Sequence, residues 1–259
     1  MAIYTTEITS DKLPADNPIH QRLLKAYYLA EDRVSGDLLE IGCGEGRGVQ
    51  LLAPKVTSYT ALDKITTLIE KLSREYDNVY FKQAVVPPFT GIEDNSYDRV
   101  VSFQVIEHIK DDRGYLEEIY RVLKPGGYAM ISTPNIRQTL SRNPWHIREY
   151  TPEQLKALSE GIFDKVEAMG VAGNNKVMQY HELNRKSVKK FTRWDVFNLQ
   201  YRLPAPFLRV PYEILNRMNR NKLKSTDDSL VLSITHKDYY LTEKPDKALD
   251  LFFILHKAE

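Results

Sequence analysis

Two residues that could exchange a proton with a bound molecule stand side by side inside an apolar stretch. The stretch reads SFQVIEHI and covers residues 102–109. Gln104, Glu107 and His108 have the spacing that places side chains on one face of a helix. The pattern is typical either of an ordinary helix start, with Glu107 favoured by the helix dipole and His108 bound to a backbone carbonyl, or of a site at which His108 accepts a proton.

A second histidine follows in the motif NPWHIREYTPEQL, just beyond the fifth predicted strand. This residue is His146, and His108 follows the fourth predicted strand. Loops after the carboxyl ends of neighbouring parallel strands meet at the same edge of a sheet, where α/β proteins bind their ligands. We therefore expect His108 and His146 to be neighbours in the folded chain, with Glu107 close by.

The elements that position these residues alternate between strand-like and helix-like patterns over residues 37–170, which indicates an α/β fold with parallel strands. The best-marked helix covers Asp112–Val122 and is stopped by Pro125-Gly126-Gly127. Thr151 followed by Pro152 predicts the start of another helix. The predicted strands are Asp37–Ile41, Tyr59–Leu62, Val79–Phe81, Asp98–Phe103, Tyr128–Ser132, Phe163–Ala168 and Ala248–His256.

The chain divides into three predicted regions: an N-terminal helical cap over residues 1–35, a core domain formed by 36–173 and 246–259, and an inserted lid over 174–245. The insertion is basic, since residues 174–225 carry a net charge of +9 and the remainder −8. Such a block favours an anionic acceptor, a membrane surface or nucleic acid, but it is equally typical of a solvated helical face. Within it, the proline-rich LPAPFLRVP argues against one continuous helix.

Composition narrows the class of protein. The chain has 259 residues, of which 42% are hydrophobic and 27% charged, so it can bury a full core. Its single cysteine, Cys43, excludes an intrachain disulfide and a zinc site of several thiolates. The sequence has neither a long apolar span nor a secretory signal pattern, so we expect a cytoplasmic protein without a membrane span, although peripheral membrane contact stays open.

A glycine-rich loop and an aspartate indicate a nucleoside-containing cofactor. The residues Glu40-Ile41-Gly42-Cys43-Gly44-Glu45-Gly46-Arg47-Gly48 follow a predicted strand, where backbone N–H groups can hold an anionic group. Arg47 stands where a dinucleotide fingerprint needs its last glycine, which disfavours NAD. Asp63 closes the second strand, where a carboxylate can reach ribose hydroxyls.

Four motifs in order resemble those of class I S-adenosylmethionine-dependent methyltransferases, within the branch that acts on small molecules and quinones. The resemblance covers about residues 35–170 and the final strand, and it implies a Rossmann-like sheet of seven strands in the order 3-2-1-4-5-7-6. It also implies helices on both faces and a helical insertion before the last strand. The motifs are LLEIGCGEGRG, ALDK, EDNSYDRVVSFQVIEHI and RVLKPGGYAMISTPN.

The resemblance further implies where S-adenosylmethionine binds. The glycine loop would surround the methionine moiety, Asp63 with Lys64 beside it would bind the ribose, and Gln104 would lie near the cofactor at the end of strand four. Relatives often place an aspartate after strand three, whereas this chain has Gln83 and Ala84 there, so Gln83 or a backbone carbonyl is expected at the adenine. The implied cofactor residues are Glu40, Gly42, Gly44, Gly46, Asp63, Lys64, Gln83, Ala84 and Gln104.

The implied reaction is methyl transfer to a small-molecule, glycan or lipid-linked acceptor, most simply at an oxygen, with His108, His146 and Glu107 as the catalytic candidates. Together with Gln104, these three also resemble the E-x-x-E-H motif and later histidine that bind a divalent ion in small-RNA 2′-O-methyltransferases. A similar E-x-x-E-H stands in the ubiquinone-pathway O-methyltransferases. Mg²⁺ is therefore a possible second cofactor, but Gln104 replaces the first glutamate and disfavours it.

Two alternatives stay open. The basic insertion and the Glu107-His108 pair would suit an RNA 2′-O-methyltransferase, whereas Gln104 and the near-neutral net charge of +1 speak against nucleic acid. A protein that binds the cofactor without catalysis is the other alternative. The sequence gives no prediction of the oligomeric state.

Overall fold

An eight-stranded mixed sheet organises the chain in the computed structural model, which describes residues 13–193, 195 and 198–259. The strand order is β3-β2-β1-β4-β5-β8-β6-β7. Each of the seven predicted strands overlaps an observed one. The strands are β1 (Asp37–Ile41), β2 (Ser58–Asp63), β3 (Tyr80–Gln83), β4 (Tyr97–Phe103), β5 (Leu123–Pro134), β6 (Lys165–Gly173), β7 (Tyr239–Thr242) and β8 (Asp250–His256).

The prediction of seven strands was wrong because it missed β7 at the edge of the sheet. Strands β1 to β5 pair in parallel, whereas β8 is antiparallel to β5 and β6, and β7 is antiparallel to β6. The missed strand has four residues and lies inside the region predicted as a lid. A strand this short at a sheet edge carries little apolar periodicity in its sequence. It adopts the strand conformation because it pairs with β6, which the sequence pattern does not show.

Helices cover both faces of the sheet. Alternate residues of the central strands face opposite cores: Leu38 and Val101 belong to the core that contains Tyr27 of α1, and Leu39 and Val100 to the other. The α-helices of the described residues are α1 (Asn17–Glu31), α2 (Val49–Leu52), α3 (Thr66–Glu75), α4 (Asp112–Val122), α5 (Pro152–Glu160), α6 (Asn175–Thr192), α7 (Leu199–Arg202), α8 (Ala205–Thr226) and α9 (Asp228–Ser233). None of them is long and apolar enough to cross a bilayer.

The expectation that LPAPFLRVP interrupts the helix was wrong for most of that stretch. Pro204 is the N-cap of α8, Pro206 lies in its first turn, and the helix continues past Pro211. Prolines at a helix start are well tolerated because the first N–H groups have no partner within the helix. Pro211 lies deeper and removes one backbone hydrogen bond, yet the helix still continues.

Helix α8 is fixed to the N-terminal region by a buried carboxylate. Asp16 is fully buried and lies 2.7 Å from Nη1 of Arg217 and 3.1 Å from Nη1 of Arg220. Asn219 also donates a hydrogen bond of 2.7 Å to Asn184 of α6. A buried charge must be paired to be tolerated, so these contacts define where the basic helix lies.

The N-cap of α5 gives a local test of the fold. Thr151 accepts a hydrogen bond from the backbone N–H of Gln154, whose side chain accepts one from the backbone of Thr151. We expect Thr151→Ala to lower the free energy of unfolding by about 1 kcal/mol, and Thr151→Ser to retain most of it because its hydroxyl can still accept. Urea denaturation measures both, and an equal loss in the two variants would contradict the capping role.

Candidate active site

The glycine loop at the end of β1 has backbone angles that favour glycine. Gly42, Gly44 and Gly46 have φ values of 79°, 53° and 78°. A Cβ atom at Gly42 would lie 2.4 Å from Cγ2 of Val105, whereas one at Gly44 would meet nothing within 4 Å. The loop is thus closely packed at Gly42 and open at Gly44, where a ligand can approach the backbone.

Asp63 at the end of β2 holds this loop in place. Its Oδ2 accepts a hydrogen bond of 2.9 Å from the N–H of Gly44, and its Oδ1 accepts one of 2.9 Å from Ile65. A carboxylate has about four lone-pair positions, so each oxygen can accept a further hydrogen bond. Asp63 can therefore bind two neighbouring hydroxyls while it orders the loop.

Glu40 is part of the support of the loop. It is 1% exposed, and its carboxylate accepts hydrogen bonds from Tyr27 (2.7 Å) and Tyr59 (2.5 Å). Burial raises the pKa of Glu40, and the two tyrosine hydroxyls oppose that rise. A direct role of Glu40 towards the cofactor stays a prediction.

A cleft of about 280 Å³ opens over the glycine loop. Of the predicted cofactor residues, Gly42, Gly44, Asp63, Lys64, Ala84 and Gln104 line it. Gln83 is exposed and donates a hydrogen bond to the carbonyl of Lys64. The other described residues lining the cleft are Leu23, Tyr27, Ile41, Cys43, Glu45, Arg47, Leu62, Ile65, Val85, Val86, Phe103, Val105, His108 and Ile109.

This cleft fits the chemistry of S-adenosylmethionine. Asp63 offers acceptors for ribose hydroxyls, and Gly44 offers open backbone for the polar methionine moiety. Ile65, Val85 and Val86 supply the apolar contacts that an adenine ring needs.

Gln104 stands at the junction of β4 and the catalytic candidates. Its φ is 60°, and its backbone N–H donates a hydrogen bond of 2.8 Å to the carbonyl of Ser132. The prediction that it shares a helix face with Glu107 and His108 was wrong, because a left-handed residue cannot lie in the same helix. A short 3₁₀ turn over Ile106–His108 follows instead.

The ring of His108 is oriented by a backbone carbonyl. Its Nδ1 lies 3.0 Å from the carbonyl oxygen of Trp145, and a carbonyl can only accept, so Nδ1 carries the proton. In the neutral ring Nε2 is then the basic nitrogen. The carbonyl contact expected for an ordinary helix start is thus present, and it also prepares His108 to accept a proton.

His146 is a neighbour of His108, as predicted. The ring centroids are 5.0 Å apart at an interplanar angle of 84°. Nδ1 of His146 lies 2.6 Å from Oε1 of Glu149, and its Nε2 lies 2.8 Å from Nδ2 of Asn143. The amide of Asn143 donates to Nε2, and Nδ1–H donates to the carboxylate of Glu149, so both ring nitrogens are held and the ring is fixed in orientation.

Glu107 lies beneath the two histidines and is 1% exposed. Its Oε2 accepts a hydrogen bond of 3.0 Å from the hydroxyl of Thr133. Burial raises the pKa of Glu107 to about 7, although the nearby His146 lowers it. This carboxyl group therefore changes its protonation state near neutral pH.

The same three side chains could hold a cation. Glu107, His108 and His146 each offer a ligand atom, and these atoms lie within 4.8 Å of one another. One carboxylate and two imidazoles suit a divalent transition metal, whereas Mg²⁺ prefers oxygen ligands. His146 would also have to release the amide of Asn143 or the carboxylate of Glu149 to bind it.

A second cavity of about 240 Å³, which we call the acceptor cavity, contains Glu107, His108 and His146. Residues of α1, α6 and α8 form part of its lining. Its polar and charged lining residues are Arg22, Gln104, Asn135, Gln138, Thr139, Ser141, Asn143, Glu149, Tyr180, His181, Asn184, Tyr212, Asn216, Arg220 and Tyr239, and its apolar ones are Pro18, Ile19, Leu23, Pro134, Leu140, Val177, Val188 and Leu249.

The fold and the cleft define a class of protein: a Rossmann-like domain that binds a nucleoside cofactor at the carboxyl ends of its parallel strands. The chain belongs to the methyltransferase domain family, which it matches over residues 17–202. Together with its motifs, this makes it a class I S-adenosylmethionine-dependent methyltransferase.

Individual relatives agree with the family. A protein of Mycolicibacterium smegmatis named as a probable S-adenosylmethionine-dependent methyltransferase is 35% identical over 175 residues, which cover 64% of this chain and 67% of that one. A ubiquinone biosynthesis O-methyltransferase of Psychrobacter cryohalolentis is 22% identical over 71% of this chain and 73% of its own.

A solved structure shows the same fold. The S-adenosylmethionine-dependent methyltransferase from Thermotoga maritima aligns with a TM-score of 0.56 at 14% identity, covering 92% of this chain and 91% of that one. The fold is therefore shared although few residues are.

The buried Glu107 leads to a pH-dependent stability. Its pKa lies at about 7 in the folded chain against an ordinary 4.5, so the folded state binds the extra proton between these values. This stabilisation is complete at low pH and is lost as the pH rises through 7. Between pH 5 and pH 7 we expect the wild type to lose about 2 kcal/mol of unfolding free energy more than Glu107→Gln.

Urea denaturation at the two pH values, with chelator present, measures the difference. Glu160→Gln is the control, since this glutamate is 54% exposed and its carboxylate lies 3.5 Å from Nζ of Lys156, one turn earlier on α5. Parallel pH dependence of the wild type and Glu107→Gln would contradict the raised pKa.

Proposed function

We propose that the chain transfers the methyl group of S-adenosylmethionine to an oxygen of a small-molecule, glycan or lipid-linked acceptor. The observation that carries the proposal is the meeting of the cofactor cleft and the acceptor cavity, because both are lined by Leu23, Gln104 and His108. A molecule in the acceptor cavity can thus approach the cofactor beside the basic nitrogen of His108.

The bound cofactor would supply a methyl group on a sulfonium sulfur, which leaves as a neutral thioether when the carbon–sulfur bond breaks. The chain therefore mainly has to align the acceptor and remove its proton. Nε2 of His108 is the proposed acceptor of the hydroxyl proton. The ring of His146, which is held by Glu149, and the carboxyl group of Glu107 lie beside the ring of His108 and shape its electrostatic environment.

Two arginines of the acceptor cavity offer N–H donors to an anionic acceptor. Nε of Arg22 lies 3.1 Å from Oδ2 of Asp250, and Arg220 is paired with Asp16. Both side chains line the cavity. A guanidinium has five N–H donors, so each arginine can bind a carboxylate or phosphate while it keeps its partner.

The test has two stages. Calorimetry should show binding of S-adenosylmethionine and S-adenosylhomocysteine, and release of S-adenosylhomocysteine should then be measured over a panel of phenols, sugars, hydroxy acids and lipid-linked alcohols. Turnover restricted to amine acceptors would contradict oxygen methylation. Cofactor binding without turnover on any acceptor would favour a non-catalytic role.

The ligand cluster supports a metal-assisted variant of this reaction as a second candidate. A cation bound by Glu107, His108 and His146 would orient and acidify the acceptor hydroxyl. Activity that is lost in chelator and restored by Mn²⁺ or Mg²⁺ would favour it. Full activity in chelator would leave His108 as the base.

A further inference from the structure

A third cavity lies beside the acceptor cavity and has a different chemical character. It has a volume of about 390 Å³ and lies between α6, α7 and α8. The two cavities are adjacent, because four residues line both of them: Ser141, Val188, Tyr212 and Asn216. The remaining described lining residues are Arg142, Pro144, Thr192, Asp195, Leu199, Gln200, Leu208, Pro211, Leu215 and Asn219.

The wall of this third cavity is largely apolar away from the junction. Leu208, Pro211 and Leu215 come from successive turns of α8, Leu199 from α7 and Pro144 from the loop after β5. Apolar cavities hold water poorly, because a water molecule needs two to four polar partners. The transfer of a hydrocarbon chain from water into such a space lowers the free energy.

We propose that the third cavity holds the hydrocarbon chain of an amphiphilic acceptor whose polar head lies in the acceptor cavity. This inference rests on the proposed methyl transfer, since it assigns the head to the site of His108. The arrangement of the two cavities carries it: a hydrogen-bonding chamber that contains Arg22 and Arg220 adjoins a largely apolar one across four shared lining residues.

The outer surface of α8 suggests how the protein contacts the source of such a hydrocarbon chain. Phe207, Val210, Ile214 and Met218 recur at helical spacing and are 72%, 68%, 55% and 55% exposed. At about 100° per residue they lie on a different face from the cavity-lining Leu208. An exposed apolar stripe of this kind suits contact with lipid or with a second amphiphile.

The test uses straight-chain carboxylates from six to fourteen carbons, kept below their micellar concentrations. Their affinity for the full chain is measured by displacement of the fluorescent probe 11-(dansylamino)undecanoic acid. Affinity should tighten by up to about fourfold per added methylene and then level off once the cavity is filled. Affinity that is independent of chain length would overturn the proposal.

Leu208→Arg should weaken dodecanoate binding at least about tenfold and hexanoate binding little, because the charge occupies the chain site. Leu232→Arg is the matched control: this leucine is 48% exposed on α9 and lies away from the cavity lining. If Leu208→Arg does not fold, Leu208→Trp should move the plateau to shorter chains. Equal losses in Leu208→Arg and Leu232→Arg would contradict the assignment.

An experiment with vesicles distinguishes the two possible sources of the hydrocarbon chain. If the protein cosediments with phosphatidylglycerol vesicles and Phe207→Glu abolishes this, the hydrocarbon chain comes from a lipid surface. If the protein binds dodecanoate but does not cosediment, the hydrocarbon chain belongs to a dispersed amphiphile. Calorimetry with S-adenosylmethionine on the same samples tests the methyltransferase proposal separately. Cofactor binding with no dependence on chain length would overturn the chain site alone.

Discussion

Replacing Asp63 by alanine is expected to weaken S-adenosylmethionine binding by on the order of 100- to 1000-fold. The carboxylate accepts hydrogen bonds from the backbone N–H groups of Gly44 and Ile65. It is also the proposed hydrogen-bond acceptor for the ribose hydroxyls. The substitution removes the ligand contact and also leaves two backbone donors without their acceptor. Hydrogen bonds to charged groups contribute about 1.5–3 kcal/mol each, so losing two or more accounts for the range.

Calorimetry measures this effect, and thermal unfolding shows whether each variant is folded. Asp32→Ala is the matched control, since this aspartate follows α1 and its side chain is 86% exposed. Asp63→Asn should fall in between, because the amide keeps one acceptor oxygen. An affinity of Asp63→Ala within threefold of the wild type would remove Asp63 from the cofactor site.

The glycine loop and the position of Asp63 at the end of β2 could be predicted from the sequence because their determinants are local. The strand Asp37–Ile41 was predicted with its observed bounds, and the glycine loop follows it directly. Glycines with positive φ and an aspartate at a strand end are required by geometry over a few residues, so the sequence pattern records them. The neighbourhood of His108 and His146 also followed from topology alone.

The acceptor side could not be predicted in the same way, because it depends on long-range packing. Arg22 of α1, His181 of α6 and Arg220 of α8 are far apart in sequence and meet only when the helices close over the sheet. Asp16, which lies outside any motif, fixes part of that arrangement through Arg220. A net charge counted along the chain cannot show which of many cations face the cavity.

Gln104 shows the limit of helical spacing as an argument. Its distance from Glu107 and His108 predicted a shared helix face, whereas its φ of 60° ends the strand in a sharp turn. The turn brings its side chain to both cavities. Local spacing therefore identified the stretch that lines both cavities but not its conformation.

Replacing His108 by alanine is expected to lower the rate of methyl transfer by about 10²- to 10⁴-fold while cofactor affinity changes little. The ring lines both cavities, and its Nδ1 is held by the carbonyl of Trp145, which leaves Nε2 as the basic nitrogen. Without it the acceptor hydroxyl keeps its proton as the carbon–oxygen bond forms, which raises the barrier. The measurement is single-turnover methyl transfer with the best acceptor of the panel.

Two other histidine variants and a more acidic acceptor show whether the effect is specific to His108. His256→Ala removes a histidine at the end of β8 that pairs with Glu167 at 2.9 Å, remote from both cavities, and should leave the rate unchanged. His146→Ala should cost less than His108→Ala, because His146 lines only the acceptor cavity. A more acidic acceptor, such as a nitrophenol, should recover part of the lost rate in His108→Ala, since its proton leaves without a base. If acidity of the acceptor makes no difference, His108 positions the acceptor rather than removing its proton.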